Sequence, residues 1–302
     1  FLFNIKFGDG EPKEYTVSTD ITKLTPITIN TTAENQSVVI EGDLLAINCK
    51  GNKLSAVDCS SSDKLVLLDC SENQLGQMDI SALTSAKYVY LMNNSITNLI
   101  TGELPLLEEL NVSFNGLTSV NLANFPGLKA LSVDKNKISS LSVEQNTKLE
   151  KLYCKSNKIQ ALDITMLPGL KELSASGNRL TTIDLSKNEQ LELLALKDNS
   201  LGSINLGNNA KLTEINISEN KLKAIDLSKC TNLVELYCNT NELTKLDLAA
   251  NKSLQTLSCG DNKLTTLNVE GMEELESLAA MYNELTSVDV KNCPALMAVS
   301  LD

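Results

Sequence analysis

The chain has 302 residues, 42% of them hydrophobic, and carries 38 acidic against 26 basic side chains for a formal net charge of −12. That balance excludes the basic footprint nucleic acid requires, and no apolar run approaches the roughly 20 residues that cross a bilayer as a helix. There is no histidine, which excludes Ser-His-Asp and Cys-His catalysis, and there is no Gly-rich phosphate loop.

Residues 1–43 read as a β-rich N-terminal cap. "FLFNIKF" alternates apolar and polar residues, "GDG" (8–10) is a turn signal, and "YTVS" (15–18), "PITI" (26–29) and "SVVIEG" (37–42) have the composition of short strands. An array of repeats needs an end unit with a polar outer face; a small independent domain is the alternative. The chain opens on Phe1 rather than Met, which predicts that an N-terminal segment was removed and leaves no signal peptide to read.

From residue 44 the sequence repeats itself. "LYCKSNKIQALDI" (152–164) returns 84 residues later as "LYCNTNELTKLDL" (236–248). Asn52, Asn73, Asn94, Asn115, Asn136, Asn157, Asn178, Asn199, Asn220, Asn241, Asn262 and Asn283 stand in unbroken 21-residue register. Eight residues before each Asn is Leu44, Leu65, Ala86, Leu107 and so on to Leu275 and Leu296; five before is Ile47, Leu68, Val89 and Leu110; three before is Cys49, Cys70, Leu91 and Val112. Leu54, Leu75 and Ile96 lie two after, and Val57, Met78 and Leu99 five after. A fixed period of this length means a solenoid with one supersecondary unit per repeat. The apolar positions five and three before Asn alternate with polar ones, the mark of a strand with one buried face. Successive strands stack in parallel at roughly 4.8 Å. Twenty-one residues leave no length for a full helix on the way back, and "LTTIDLS" (180–186) alternates again, so the return leg is expected to be extended or 3₁₀. The Asn amide is expected to bond turn backbone that would otherwise be orphaned.

"LEKLYCKSNKI" (149–159) and "LQTLSCGDNKL" (254–264) resemble the leucine-rich repeat family, whose pattern is L-x-x-L-x-L-x-x-N-x-L. The short unit with Cys in the third apolar slot looks like secreted leucine-rich repeat proteins of Bacteroidetes-type bacteria, neighbours of the internalin type. The resemblance covers 44–302 and implies a leucine-rich repeat solenoid: twelve repeats and a final strand in a curved right-handed superhelix, a parallel β-sheet on the concave face, return legs on the convex face, little α-helix. It also implies an extracellular or cell-surface location and a concave binding face.

Eight cysteines invite a disulfide or metal reading. Cys49, Cys70, Cys154, Cys238 and Cys259 fill the apolar slot three before Asn, and Cys59 fills another, so they are expected as buried free thiols, small hydrophobes in the core. Stacked pairs such as Cys49–Cys70 and Cys238–Cys259 are close enough for oxidation, although parallel Cβ vectors suit a bridge poorly. Metal and cofactor are expected to be none. "LMAVSLD" at the C-terminus reads as a thirteenth strand with an exposed edge, which predicts either a following domain or cover in an oligomer.

The outward positions six, four, two and one before each Asn are where binding is expected. Tyr90, Tyr153 and Tyr237 stand four before, Tyr88 six before, Phe114 and Tyr282 one before; Phe125 is the only other aromatic in the array. Tyrosine on a rigid face is typical of binding hot spots, although it also simply suits strands. Tyr90, Tyr153 and Tyr237 are expected at spacings of about 14 and 19 Å, a span for a protein or extended chain. Met92 thickens the N-terminal part of this stripe. Lys151 and Lys155 surround Tyr153, and Glu214 and Glu235 surround Tyr237, so a partner is expected to present acidic groups to the first and basic groups to the second. Glu214 and Glu235 lie in one column of adjacent repeats, roughly 5 Å apart, a separation shared with retaining glycosidases, but an open face without a cleft does not support catalysis. The expectation is a non-enzymatic, secreted or surface-held module that binds a protein. The alternatives are a glycan-binding scaffold, against which the lack of Trp counts, and the recognition arm of a larger protein whose catalytic domain lies elsewhere.

Overall fold

The computed structural model describes residues 2–7, 13–16 and 38–301. The turn expected at 8–10 and the strand expected at 26–29 lie outside the described residues. Two compact units are resolved, Phe1–Asn115 and Gly116–Asp302.

The first unit begins with a three-stranded antiparallel sheet. Strand β1 (Leu2–Phe7) lies between β2 (Lys13–Thr16) and β3 (Val38–Glu41), with Leu2 opposite Thr16 and Asn4 opposite Glu41. The repeats follow as β4 (Ala46–Asn48), β5 (Leu67–Asp69), β6 (Gln77–Asp79), β7 (Tyr88–Tyr90), β8 (Asn98–Ile100) and β9 (Glu109–Asn111). Strands β4, β5, β7 and β9 pair in parallel without slippage, Ile47 on Leu68 on Val89 on Leu110. Strands β6 and β8 pair in parallel on the return legs.

The second unit repeats the same plan. Strands β10 (Ala130–Ser132), β11 (Lys151–Tyr153), β12 (Glu172–Ser174), β13 (Leu193–Ala195), β14 (Glu214–Asn216), β15 (Glu235–Tyr237), β16 (Thr256–Ser258), β18 (Ser277–Ala279) and β20 (Ala298–Ser300) form one parallel ladder. Return-leg strands β17 (Thr266–Asn268) and β19 (Ser287–Asp289) pair with each other, and Asp184 bridges Asn205. Among the described residues there is no helix; the return legs are extended. The middle residue of each ladder strand from β5 to β18 is buried and its flanks are half-buried or exposed, which is the period of two read as structure.

The Asn column ties each turn to the one before. Asn241 Nδ2 donates to the carbonyls of Ile217, Cys238 and Asn239 at 3.0, 3.1 and 3.2 Å, and its Oδ1 accepts the Leu222 N–H at 3.0 Å. Asn73, Asn94, Asn157, Asn178, Asn220, Asn262 and Asn283 repeat this set. The residue before each Asn is left-handed whatever its type: Glu72, Asn93, Phe114, Lys135, Ser156, Gly177, Asp198, Glu219, Thr240, Asp261 and Tyr282 all have φ between 50° and 64°. This conformation turns the chain out of the strand. It is held because the residue's N–H donates to the next turn's carbonyl, as from Thr240 to Gly260 at 2.9 Å.

A second polar column lies ten residues after the first. It holds buried Leu83, Leu104, Phe125, Leu167, Cys230 and Met272, but also buried Asn146, Asn188, Asn209 and Asn251. Asn188 Nδ2 donates to the carbonyls of Ile164 and Leu167 at 2.9 and 2.8 Å, whereas the Oδ1 atoms of all four meet no protein donor. Cys293 takes the same place and donates to the Val269 carbonyl at 3.1 Å. Seven before the first Asn column, charge alternates in sign: Lys87 and Glu108 in the first unit, then Lys129, Glu150, Lys171 and Glu192 in the second. Lys87 meets Glu108 at 3.5 Å, and Lys171 meets Glu150 at 2.7 Å.

All eight cysteines are free; Cys49 and Cys293 are half-buried and the other six are buried. Burial raises the thiols of Cys154, Cys238 and Cys259, the last to about 12.

Candidate functional site

In the first unit the outward residues of β7 are Tyr88 and Tyr90, both half-buried, with Met92 just past the strand. Parallel register sets Glu109 beside Tyr88 and Asn111 beside Tyr90. Burial, then the charge of Glu109 and a hydrogen bond to it, push the Tyr90 phenol well above its ordinary range. Asn111 Nδ2 lies 3.7 Å from the Met92 sulfur. Phe114 is 40% exposed and sits in the left-handed turn, beyond the end of β9; it borders the sheet rather than standing on it.

In the second unit β11 carries Lys151 and Tyr153 and β15 carries Glu235 and Tyr237, the two tyrosines four strands apart. Tyr153 donates its hydroxyl to Glu172 on β12, and Lys151 Nζ meets the same carboxylate at 2.7 Å. Burial works against the charge of Glu172, but the Lys151 and Tyr153 hydrogen bonds outweigh it and hold the carboxyl below its ordinary range. Lys155 donates its backbone N–H to Asp134 at 2.6 Å, and burial holds the Asp134 carboxyl above its usual range. Of the lysines beside Tyr153, Lys151 is thus paired with Glu172, while Asp134 meets the backbone of Lys155. Sequence reasoning missed both acids; the signal for Glu172 was its position in the column six before Asn, one repeat after Lys151.

Around Tyr237 the neighbouring charges are carboxylates. Tyr237 donates to Glu235 at 2.7 Å; this bond, burial and the charges of Glu235 and Glu214 push the phenol up to about 12. Glu214 faces Glu235 across β14 and β15. Burial first, and the charge of Glu235 second, raise the Glu214 carboxyl. Asn239 Oδ1 accepts from Ser258 Oγ and Gly260 N–H, both at 2.8 Å. Tyr282, 70% exposed, occupies the left-handed turn after β18. No group of acids and cysteines among the described residues converges as a metal site, and no helix among them is long and apolar enough to cross a membrane.

Tyr90, Tyr153 and Tyr237 share one device: a half-buried ring whose hydroxyl is tied to a glutamate six before Asn. For Tyr90 and Tyr153 that glutamate is 19 residues on, in the next strand; for Tyr237 it is in the same strand. Such rings are oriented before anything binds.

No family model and no curated protein matches the sequence. Solved structures do. The functional domain of InlJ from Listeria monocytogenes, which includes a cysteine ladder, is 30% identical over 66% of this chain, with a TM-score of 0.59; the chain spans 49% of that domain's length. The internalin InlF of the same organism is 20% identical over 86% of this chain and 89% of its own, with a TM-score of 0.71. The ectodomain of the plant membrane receptor kinase GASSHO1/SCHENGEN3 from Arabidopsis thaliana, in complex with CASPARIAN STRIP INTEGRITY FACTOR 2, is 20% identical over 80% of this chain and 36% of its own, with a TM-score of 0.60. The fold is the leucine-rich repeat solenoid. The solved structures that the chain resembles are leucine-rich repeat proteins, and the chain shares their solenoid on turns of about 21 residues.

Proposed function

We propose that the chain is a non-enzymatic binding module, secreted or held at a cell surface, which recognises a protein partner through the outward face of its parallel strands. The observation that carries this reading is the set of preorganised tyrosines. Rings already half-buried and hydrogen-bonded lose little freedom on binding, so more of their contact energy becomes affinity. Tyrosine is also the residue type most often found at hot spots, together with Trp and Arg. The plant neighbour supports both parts of the proposal by analogy of fold: it is an ectodomain, and it is in complex with a partner. Near Tyr237 the face offers Glu214 and Glu235, which suits lysine or arginine on the partner; near Tyr153, Lys151 is already paired with Glu172, which leaves the ring and Lys155 to meet an acidic group of the partner.

The test is a binding screen of the folded chain against a panel of extracellular proteins, followed by Tyr90→Ala, Tyr153→Ala and Tyr237→Ala against any protein that binds. Loss of about tenfold or more in affinity for at least one variant, with melting temperatures near the parent's, is the expected result. A partner that binds all three variants as tightly as the parent would move recognition off this face.

A further inference from the structure

Two cysteine pairs stand in adjacent repeats at the same register, and they are not equivalent. Cys49 follows β4 and Cys70 follows β5, whose last residues Asn48 and Asp69 are partners. Cys238 follows β15 and Cys259 follows β16, whose last residues Tyr237 and Ser258 are partners. Neighbouring strands stand about 4.8 Å apart, inside the 4.4–6.8 Å range of Cα separations that a disulfide bridges. Cys238 and Cys259 are both sealed from solvent. Cys49 is half-buried, Cys70 is sealed, and their sulfurs already lie 3.1 Å apart. The turn bearing Cys49 is also looser, since Leu44, Leu45, Ala46 and Ile47 are all only half-buried. The first pair thus joins a solvent-accessible thiol to a close partner, whereas both thiols of the second pair are sealed.

We propose that Cys49 and Cys70 form a thiol–disulfide exchange site that takes a small dialkyl disulfide as its oxidant. An accessible thiol beside a sealed one divides the roles. The Cys49 thiol donates to the Cys70 sulfur at 3.1 Å; once Cys49 gives up its proton the Cys70 thiol can donate to it in turn, and that hydrogen bond lowers Cys49 below an ordinary thiol while, with burial, it holds the proton on Cys70. Cys49 is therefore the attacking sulfur and Cys70 the resolving one. The Cys49 thiolate attacks one sulfur of R–S–S–R, and the displaced RS⁻ takes up a proton from water. Cys70 then loses its proton, attacks the Cys49 sulfur of the mixed disulfide and expels the second RS⁻, which is protonated in turn. Two protein thiols become one disulfide and one R–S–S–R becomes two R–SH. The competing thiol is Cys59, buried and pushed up to about 11 by that burial and by the nearby Cys49 charge; Cys70 is the resolving group because its sulfur already lies 3.1 Å from that of Cys49 in the paired strand register.

The experiment treats the fully reduced chain, under native conditions, with oxidised glutathione, then quenches with an alkylating reagent and maps the peptides. The expected product is a Cys49–Cys70 disulfide, with Cys238 and Cys259 recovered alkylated only after unfolding. Native alkylation of Cys49 should be faster than that of Cys238 by about tenfold or more. Cys70→Ser should stop at a glutathione mixed disulfide on Cys49, and Cys49→Ser should leave Cys70 unmodified over the same interval. Recovery of all eight cysteines reduced from the native wild type, bridging of Cys238 to Cys259 at an equal rate, or a Cys49–Cys59 link would each overturn the proposal. The wild-type map decides the matter even if a serine variant fails to fold.

Discussion

At the scale of single residues, two adjacent positions make each turn. Asn supplies an amide that satisfies three carbonyls and one N–H, and the residue before it supplies a left-handed bend. Asn241→Leu keeps the branched outline of the side chain but strands those buried peptide groups, so it should cost about 1–3 kcal/mol in a urea titration; an unchanged midpoint would refute the role given to the amide. Thr240 is the β-branched member of the left-handed column at φ 53°, a conformation such residues strongly disfavour and Asn tolerates. Thr240→Asn should therefore stabilise the chain by about 0.5–1 kcal/mol, within the usual cost of such strain. The Asn column was legible in the sequence because one chemistry is needed at every repeat. The bend was not. Its demand falls on the backbone, and Glu72, Phe114, Lys135 and Thr240 meet it with nothing in common but their place in the ladder.

At the scale of strands, the two-residue alternation fixed which side chains face out, and Tyr90, Tyr153 and Tyr237 lie where the pattern puts them. What binds their hydroxyls was hidden, because a contact between residues 19 apart joins different columns of neighbouring repeats. The buried column with Asn146, Asn188, Asn209 and Asn251 was hidden for another reason: it mixes amides with Leu, Phe, Cys and Met, so no single residue type announces it. Like charges directly opposite in a sheet are unfavourable by about 0.2–1 kcal/mol, and Glu214 opposite Glu235 is such a pair. Because the Glu214 carboxyl is raised in the folded state, its contribution favours folding when it is protonated and is lost as pH rises through that raised value. Glu214→Gln should thus add about 0.2–1 kcal/mol at pH 7 and nothing once the solution is more acidic than the ordinary carboxylate range near pH 4. Urea midpoints measured at both pH values check the sign. A gain that persists in acid would show that repulsion is not its source.

At the scale of the whole molecule, the period is the design. Each turn touches its neighbours along the ladder, and stability in such arrays is a sum of turns and of the interfaces between them. Excision of 201–221, one full period within Gly116–Asp302, should leave a folded chain with the same circular dichroism per residue and a smaller urea m-value, since m follows the surface exposed on unfolding. Excision of 202–221, one residue fewer, should unfold the adjoining turns, because it throws the apolar columns out of register on one side of the cut. The alternating column of Lys129, Glu150, Lys171 and Glu192 adds a constraint on how such a gene can change length. Unequal recombination that drops the single repeat 150–170 brings Lys129 against Lys171, while loss of the pair 150–191 brings Lys129 against Glu192 and restores an attractive contact. The ladder works as a parity check: through this stretch the array shortens or lengthens more readily by even numbers of repeats than by odd ones.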